Sequence, residues 1–434
     1  MVKSVKDLLI NKCLIITVND GNDVIQNGAI VVDKGIINYV GPSANLDNES
    51  YSKVIEGPYI VMPGLVNTHT HTPMSLFRGY ADDMPLHNWL YDRIFPSEAR
   101  LVKSDSYHGA MLSCAEMIKT GTTAFADMYF FMDEVARACV DSGMRASLSV
   151  GISSFENEEE SLKRAEEFCR TWQGTSNGKI GTMLGPHAPY TCSTGLFKSV
   201  AELSFKLNVG IHIHLSETQK EFDDIVAKHK MTPTALIKNC GIFESHTLAA
   251  HCVVMRDEDI EMLAENGVFV AHNPTSNMKL ASGISPVVKM KEHGITVGIG
   301  TDGPASNNTL DMFKEFRNAS LLQKVALLNP VVLNAKDTIR MATIDGAKCL
   351  GLSDEIGSLE VGKKADLILL DFNKCHMTPK SDFLSHVAYS AVGSDVDTVL
   401  IDGKIVMENK VLKSIDETEI MARANEAFEK ICIK

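Results

Sequence analysis

The sequence predicts an α/β protein: a (β/α)8 barrel of the TIM type, carrying a small β-sandwich formed by both chain termini. Three observations carry that expectation. Eight short apolar runs alternate with helix-like stretches through the middle of the chain, the pattern of a parallel sheet covered by helices. Both ends have another texture, short strands separated by Asn, Asp and Gly. Six of the eight runs end in imidazoles or carboxylates, at the face where such barrels carry their sites.

Taken in order, residues 1–60 hold strand-like stretches at 14–18, 28–32 and 35–40. Asn11 and Lys12 interrupt the first apolar stretch and Asn19-Asp20-Gly21 closes it. That reads as a strand and turn, not a signal peptide. Residues 61–355 hold the runs 65–71, 122–130, 145–152, 181–190, 209–218, 247–254, 267–273 and 296–302. An open doubly wound sheet would bring a Gly-rich phosphate loop after its first strand, and this chain has none. Residues 356–434 return to strands at 365–371 and 396–406, the latter turning at Asp402-Gly403, and end in a helix.

Composition bounds the partners. The 434 residues carry a net charge of −13, which argues against nucleic acid as the ligand. No run of about 20 apolar residues exists to span a membrane. Ten cysteines are scattered without CxxC pairs, the usage of a cytoplasmic protein with reduced core thiols. A homo-oligomer is compatible with this composition.

The chemistry gathers at the run ends. His69 and His71 are two apart on a strand and aim both imidazoles at one point. His214 and Asp302 complete a set of three imidazoles and one carboxylate that suits a Zn²⁺-like ion with a position open for water. Fe²⁺ or Mn²⁺ would accept the same ligands. Asp302 has a second reading, as a cap or turn residue before Gly303. His212 shares the face of His214 but lies deeper, a packing or supporting position. Asp302 and His251 are candidate proton acceptors. Glu217, three residues past His214, is a candidate proton shuttle; its other reading is a surface Glu opening the next helix. His187, between Pro186 and Pro189, either meets substrate or stabilises a turn. His272 is open in the same way.

The strings PGLVNTHTH, HLSET, AAHC, HNPTSNMKL and GTDGPASNN together resemble the amidohydrolase superfamily, in its mononuclear deaminase branch. The wider string NTHTHTPMSLFRGYADDMPLHNWL is similar to the 5-methylthioadenosine/S-adenosylhomocysteine deaminases. The likeness runs from Cys13 to Gly403. It implies the same barrel and sandwich, and one Zn²⁺ on His69, His71, His214 and Asp302. It implies that Glu217 and His251 act with Asp302 on the hydrolytic water. Attack at C6 of an adenine ring, with N1 protonated by Glu217, would release ammonia and leave an inosyl product. It implies Glu98 on the ribose hydroxyls, His187 beside the substrate, and Trp89 as an aromatic neighbour of it.

One departure bears on specificity. Where the family often carries an Arg for the homocysteine carboxylate, the matching residue is Val150, and the loop 155–160 is acidic. The expectation is therefore a preference for 5′-methylthioadenosine or adenosine over S-adenosylhomocysteine. Two other classes compete: a free-base or pterin deaminase, or a chlorotriazine hydrolase, on the same scaffold, and a barrel retained only for binding. The H-x-E…P-C-x-x-C signature of the nucleic-acid deaminases is absent.

Overall fold

The computed structural model describes residues 5–47, 49–84 and 88–433. Pro85, Leu86 and His87, inside the long family string, lie outside the described residues.

The terminal strands are β1 (Val5–Ile16), β2 (Val24–Asp33), β3 (Ile36–Pro42), β4 (Ser50–Glu56) and β5 (Tyr59–Pro63). The barrel strands follow: β6 (Leu65–Thr70), β7 (Thr122–Tyr129), β8 (Arg145–Ile152), β9 (Ile180–Pro186), β10 (Gly210–Leu215), β11 (Thr247–His251), β12 (Phe269–His272) and β13 (Val297–Ile299). The chain then returns through β14 (Leu367–Asp371), β15 (Val396–Ile401), β16 (Lys404–Glu408) and β17 (Val411–Leu412).

β6 to β13 form one parallel sheet in sequence order, as βαβ connections require. The intervening helices bury one face each. In the helix Glu158–Trp172, Ser161, Ala165, Phe168 and Cys169 are buried, at the spacing of one helical stripe. Asn157 caps it by accepting Glu160 N at 3.1 Å. The first and last barrel strands meet without a ladder. Asp302 N donates to His69 O at 2.9 Å. Asn67 clasps Thr301, accepting its N–H at 3.0 Å and donating to its hydroxyl at 2.8 Å.

The strands from both termini share one nine-stranded sheet. β1 is forked: its first half pairs with β4 and Leu14–Ile15 pairs with β5. The break falls at Lys12, whose φ of 57° marks a bulge. Leu8, Ile10, Ile15, Ile30, Leu367, Leu369 and Leu400 are buried together as its core. β5 runs into β6 through Gly64, where a Cβ would meet Thr123 Oγ1 at 2.1 Å. Only glycine lets the two sheets join so closely.

One buried ion pair ties the sheets together. Arg145 at the start of β8 donates to Asp366 through Nε (2.9 Å) and Nη2 (3.2 Å), and both side chains are 1% exposed. Removing one partner strands the other charge, at about 3–5 kcal/mol. Asp366→Ala is therefore expected to lower stability by about that amount, read as a reduced midpoint in chemical denaturation. Arg145→Met combined with Asp366→Leu is expected to recover most of the loss.

Candidate active site

Seven of the eight barrel strands end before their apolar runs do; β8 alone fills its run to Ile152. The runs at 209–218, 247–254 and 296–302 stop as strands at Leu215, His251 and Ile299. The backbone then turns left-handed, at Ser216 (φ 51°), His251 (φ 74°), Cys252 (φ 45°) and Asp302 (φ 61°). Such angles are strained for residues with a Cβ and persist where surroundings impose them. Here they turn strand-end side chains into the mouth of the barrel.

Four predicted ligands meet there. His71 Nε2 lies 3.2 Å from His214 Nε2 and 3.3 Å from Asp302 Oδ1. His69 Nε2 lies 3.4 Å from the same oxygen. Every Nδ1 is already engaged: His69 with His212 Nε2 (2.8 Å), His71 with Met128 O (2.6 Å), His214 with His187 O (2.7 Å). That leaves three Nε2 atoms converging, the arrangement in which a ligand's second nitrogen fixes ring orientation. His69 Nε2 is fully buried yet makes no hydrogen bond. His69, His71 and His214, and equally His69, His251 and Asp302, bring ligand atoms within 4.8 Å of one another. Such a donor set fits a divalent transition ion.

The electrostatics agree. Burial holds His69 down at about 3, and His212 and His214 well below the ordinary imidazole value, so these rings are neutral, as ligation requires. Burial alone would raise the Asp302 carboxyl, but contacts from His69 and His71 keep it well below the carboxylate range. Burial alone would depress His71, and Asp302 outweighs it and raises it. An ionised carboxylate thus draws positive charge into the cluster. Its Oδ2 accepts from Ser276 Oγ (2.6 Å) and Ser306 Oγ (2.7 Å), which turns Oδ1 toward the imidazoles.

The remaining predicted residues share one cavity, about 940 Å³ with its open mouth. Glu217, His251, His187, Glu98 and Trp89 all line it. Glu217 Oε2 is 3.9 Å from His251 Nε2, and burial raises its carboxyl. His251 Nδ1 meets Asn277 Oδ1 at 2.8 Å. Glu98 ends the short helix Phe95–Glu98 and accepts from Tyr129 OH at 2.6 Å; burial raises it too. Trp89 opens a π-helical turn, Trp89–Ile94, and is only 5% exposed. His187 faces the cavity and also serves the turn, with Nδ1 3.0 Å from Thr191 Oγ1 and its carbonyl on His214. Burial holds it down at about 4. His212 supports His69 from below. His272 is fully buried and does not line the cavity.

One expectation is corrected. Val150 does not line the cavity. Its neighbour Ser149 approaches His212 Nδ1 at 3.4 Å inside the barrel, so strand alternation turns Val150 outward onto the apolar layer. The wall there is Gly151, Ile152, Ser153 and Phe155. The absence of a basic partner stands on wider grounds: among the described lining residues none is Lys or Arg.

Sequence reasoning did not single out Tyr129, Asn277, Ser276 or Ser306. The last three sit in the quoted strings HNPTSNMKL and GTDGPASNN, but a small polar residue in a helix of four to six residues carries no periodic signal. Only the fold brings them to His251 and Asp302.

An amidohydrolase family profile matches residues 60–406. The chain belongs to the amidohydrolase family. A 5-methylthioadenosine/S-adenosylhomocysteine deaminase of Dictyoglomus turgidum is 48% identical over 96% of this chain and 98% of its own. A 5′-deoxyadenosine deaminase of Methanosarcina acetivorans is 47% identical, covering 98% of both chains. The crystal structure of an adenosine deaminase from Xanthomonas campestris with bound zinc superposes with a TM-score of 0.95 at 36% identity, over 99% of both chains. An atrazine chlorohydrolase from Arthrobacter aurescens, complexed with zinc, has a TM-score of 0.90 at 24% identity, over 97% of this chain and all of that one; this likeness speaks to the fold alone. The family is metal-dependent, and the imidazole cluster holds the donor atoms that could bind an ion in this chain.

His212 is the most specific test of the cluster, because it would act on a bound ion only through its 2.8 Å contact with His69. His212→Phe is expected to weaken metal binding about 10–100-fold, read by competition with a chelating dye, with the fold retained.

Proposed function

We propose that this amidohydrolase deaminates the adenine ring of 5′-substituted adenosines, 5′-methylthioadenosine and adenosine ahead of S-adenosylhomocysteine, to the inosyl product and ammonia. The observation that carries the reading is one cavity wall holding Glu217, His251 and Asp302 against the imidazole cluster, with Glu98 lining the same space. The names of relatives nearly half identical over almost the whole chain support it.

A divalent ion, taken here as Zn²⁺ on His69, His71, His214 and Asp302, would lower the pKa of water from 15.7 to near 7 and so supply the nucleophile. Asp302 and His251 stand beside that position to accept its proton. Glu217, its carboxyl raised by burial, delivers a proton to N1 of the purine as C6 is attacked. Proton return to the exocyclic nitrogen lets ammonia leave. Glu98 accepts hydrogen bonds from the ribose hydroxyls, His187 holds the nucleoside, and Trp89 packs against it. All ten cysteines are free thiols, which supports a reducing, cytoplasmic setting. Among the described residues no helix is long and apolar enough to cross a membrane.

Specificity follows from charge. The lining carboxylates Glu98, Glu217 and Asp302 face no Lys or Arg among the described lining residues. An amino-acid tail carrying a carboxylate therefore forgoes a charge-assisted bond, about 1.5–3 kcal/mol or 10–100-fold in affinity. Ammonia release measured side by side is expected to show 5′-methylthioadenosine and adenosine turned over with kcat/KM about 10–100-fold above S-adenosylhomocysteine. Equal values for all three would refute the specificity argument.

Free-base, pterin and triazine hydrolysis on this scaffold is the second reading, and Glu98 separates it from the first. A free base needs no partner for ribose. Glu98→Ala is expected to lower kcat/KM on nucleosides about 10–100-fold with metal content unchanged. Glu217→Gln, which cannot carry the proton, is expected to lower kcat about 10²–10⁴-fold. Because burial raises Glu217, wild-type kcat is expected to fall as pH rises through that raised pKa and the protonated acid is lost. Glu217→Gln is expected to erase that limb of the profile.

A further inference from the structure

The loop carrying Glu217 is gripped by a second carboxylate that the proposed reaction does not use. The stretch Thr218-Gln219-Lys220-Glu221 has the form S/T-x-x-E, a helix-start signature in which the acid reaches back to the N–H of the capping residue. Half of that box forms. Thr218 Oγ1 accepts Glu221 N at 3.2 Å, and the helix Gln219–His229 begins there. The other half is displaced. The Glu221 carboxylate passes the cap and accepts the two N–H groups before it, Ser216 at 3.0 Å and Glu217 at 2.8 Å.

The surroundings show what this displacement does. Ser216 is left-handed at φ 51°, a conformation that a residue with a Cβ holds only under constraint. Its carbonyl accepts Val253 N at 3.0 Å and Val254 N at 2.9 Å, on the segment just past His251. The peptide units from which Glu217 departs are thus clamped on one side by Glu221 and on the other by the His251 loop. Glu221 is 5% exposed, and burial pushes its carboxyl up to about 7. A solvent-exposed cap would do for starting a helix; a carboxylate buried at this depth pays desolvation, and what it holds in return is the backbone of Glu217.

We propose that Glu221 is a positioning residue for deamination, its carboxylate clasping Ser216 and Glu217 so that the Glu217 carboxyl stands against His251 and the ring nitrogen of the substrate. The inference rests on the proposed acid role of Glu217. Gln at position 221 keeps the size but offers one acceptor and turns an NH₂ toward the other N–H, so it opens half of the clasp.

The test compares Glu221→Gln, Glu217→Gln, the double variant and Thr218→Val, each loaded with Zn²⁺. Hydrogen exchange followed by mass spectrometry is expected to speed up in Glu221→Gln over the peptide containing Ser216 and Glu217. Metal content and denaturation midpoint are expected to stay near wild type. On 5′-methylthioadenosine, kcat is expected to fall about 10–100-fold, the scale of a small misplacement of a reacting group, with KM within about threefold. Added to Glu217→Gln, the change is expected to do nothing further, because it acts through that residue. Thr218→Val weakens only the helix cap and is expected to leave kcat in place. Unchanged exchange at 216–217, losses that add to Glu217→Gln, a KM effect alone, or a Thr218→Val variant as impaired as Glu221→Gln would overturn the proposal. If wild-type protein deaminates no nucleoside, the reading of the reaction fails separately, and the exchange measurement still decides the clasp.

Discussion

The barrel closes where its chemistry sits. β6 and β13 share no ladder; besides the Asn67–Thr301 clasp, their ends are joined by Asp302 N donating to His69 O at 2.9 Å. The same two residues bring side chains together 3.4 Å apart in the ligand cluster. Closure of the barrel and assembly of the imidazole–carboxylate cluster are thus one constraint. Sheet register decides where the His69 carbonyl lies, that carbonyl fixes the left-handed turn at Asp302, and the turn aims the carboxylate. A slip of one residue would turn His69 out of the barrel and leave Asp302 without its partners.

Around that point the molecule repeats one device, a buried carboxylate that holds backbone instead of reacting. Asp127 accepts Thr72 N at 2.8 Å and both Thr70 and Thr72 hydroxyls, pinning the turn after His71. Glu315 accepts Thr275 N at 3.2 Å and Asn307 Nδ2 at 2.9 Å, holding the two short helices that deliver Ser276 and Ser306 to Asp302. Glu221 does the same for Glu217. Burial raises all three, Asp127 to about 6 and the two glutamates to about 7. Loops built this way keep strand-like precision beyond the strands, which a reaction sensitive to small displacements requires.

How much was legible in the sequence varies by element. The eight barrel strands were, because each is a short apolar run with turn residues on both sides. Their C-terminal limits, β8 apart, were not: apolar residues such as Val253 and Val254 continue past the last ladder bond, and composition does not register a change of backbone angle. His69, His71, His214 and Asp302 stood out as candidates because imidazoles and carboxylates at strand ends are unusual in a plain core. Val150 was misplaced relative to the cavity, since alignment to a motif does not say which face of a strand a residue takes.

The sequence by itself determined the fold class, the family and the types of residue available for chemistry, because hydrophobic period and short motifs are local properties of the chain. Tertiary structure decided the rest: which nitrogen of each imidazole is free, which oxygen of Asp302 faces the cluster, that Glu98 is paired with Tyr129, and that Glu221 bypasses its own helix cap. Those outcomes depend on hydrogen bonds between residues far apart in sequence, such as His69 with His212 at 2.8 Å and Tyr129 with Glu98 at 2.6 Å. Such bonds form only once burial has removed water as the competing partner.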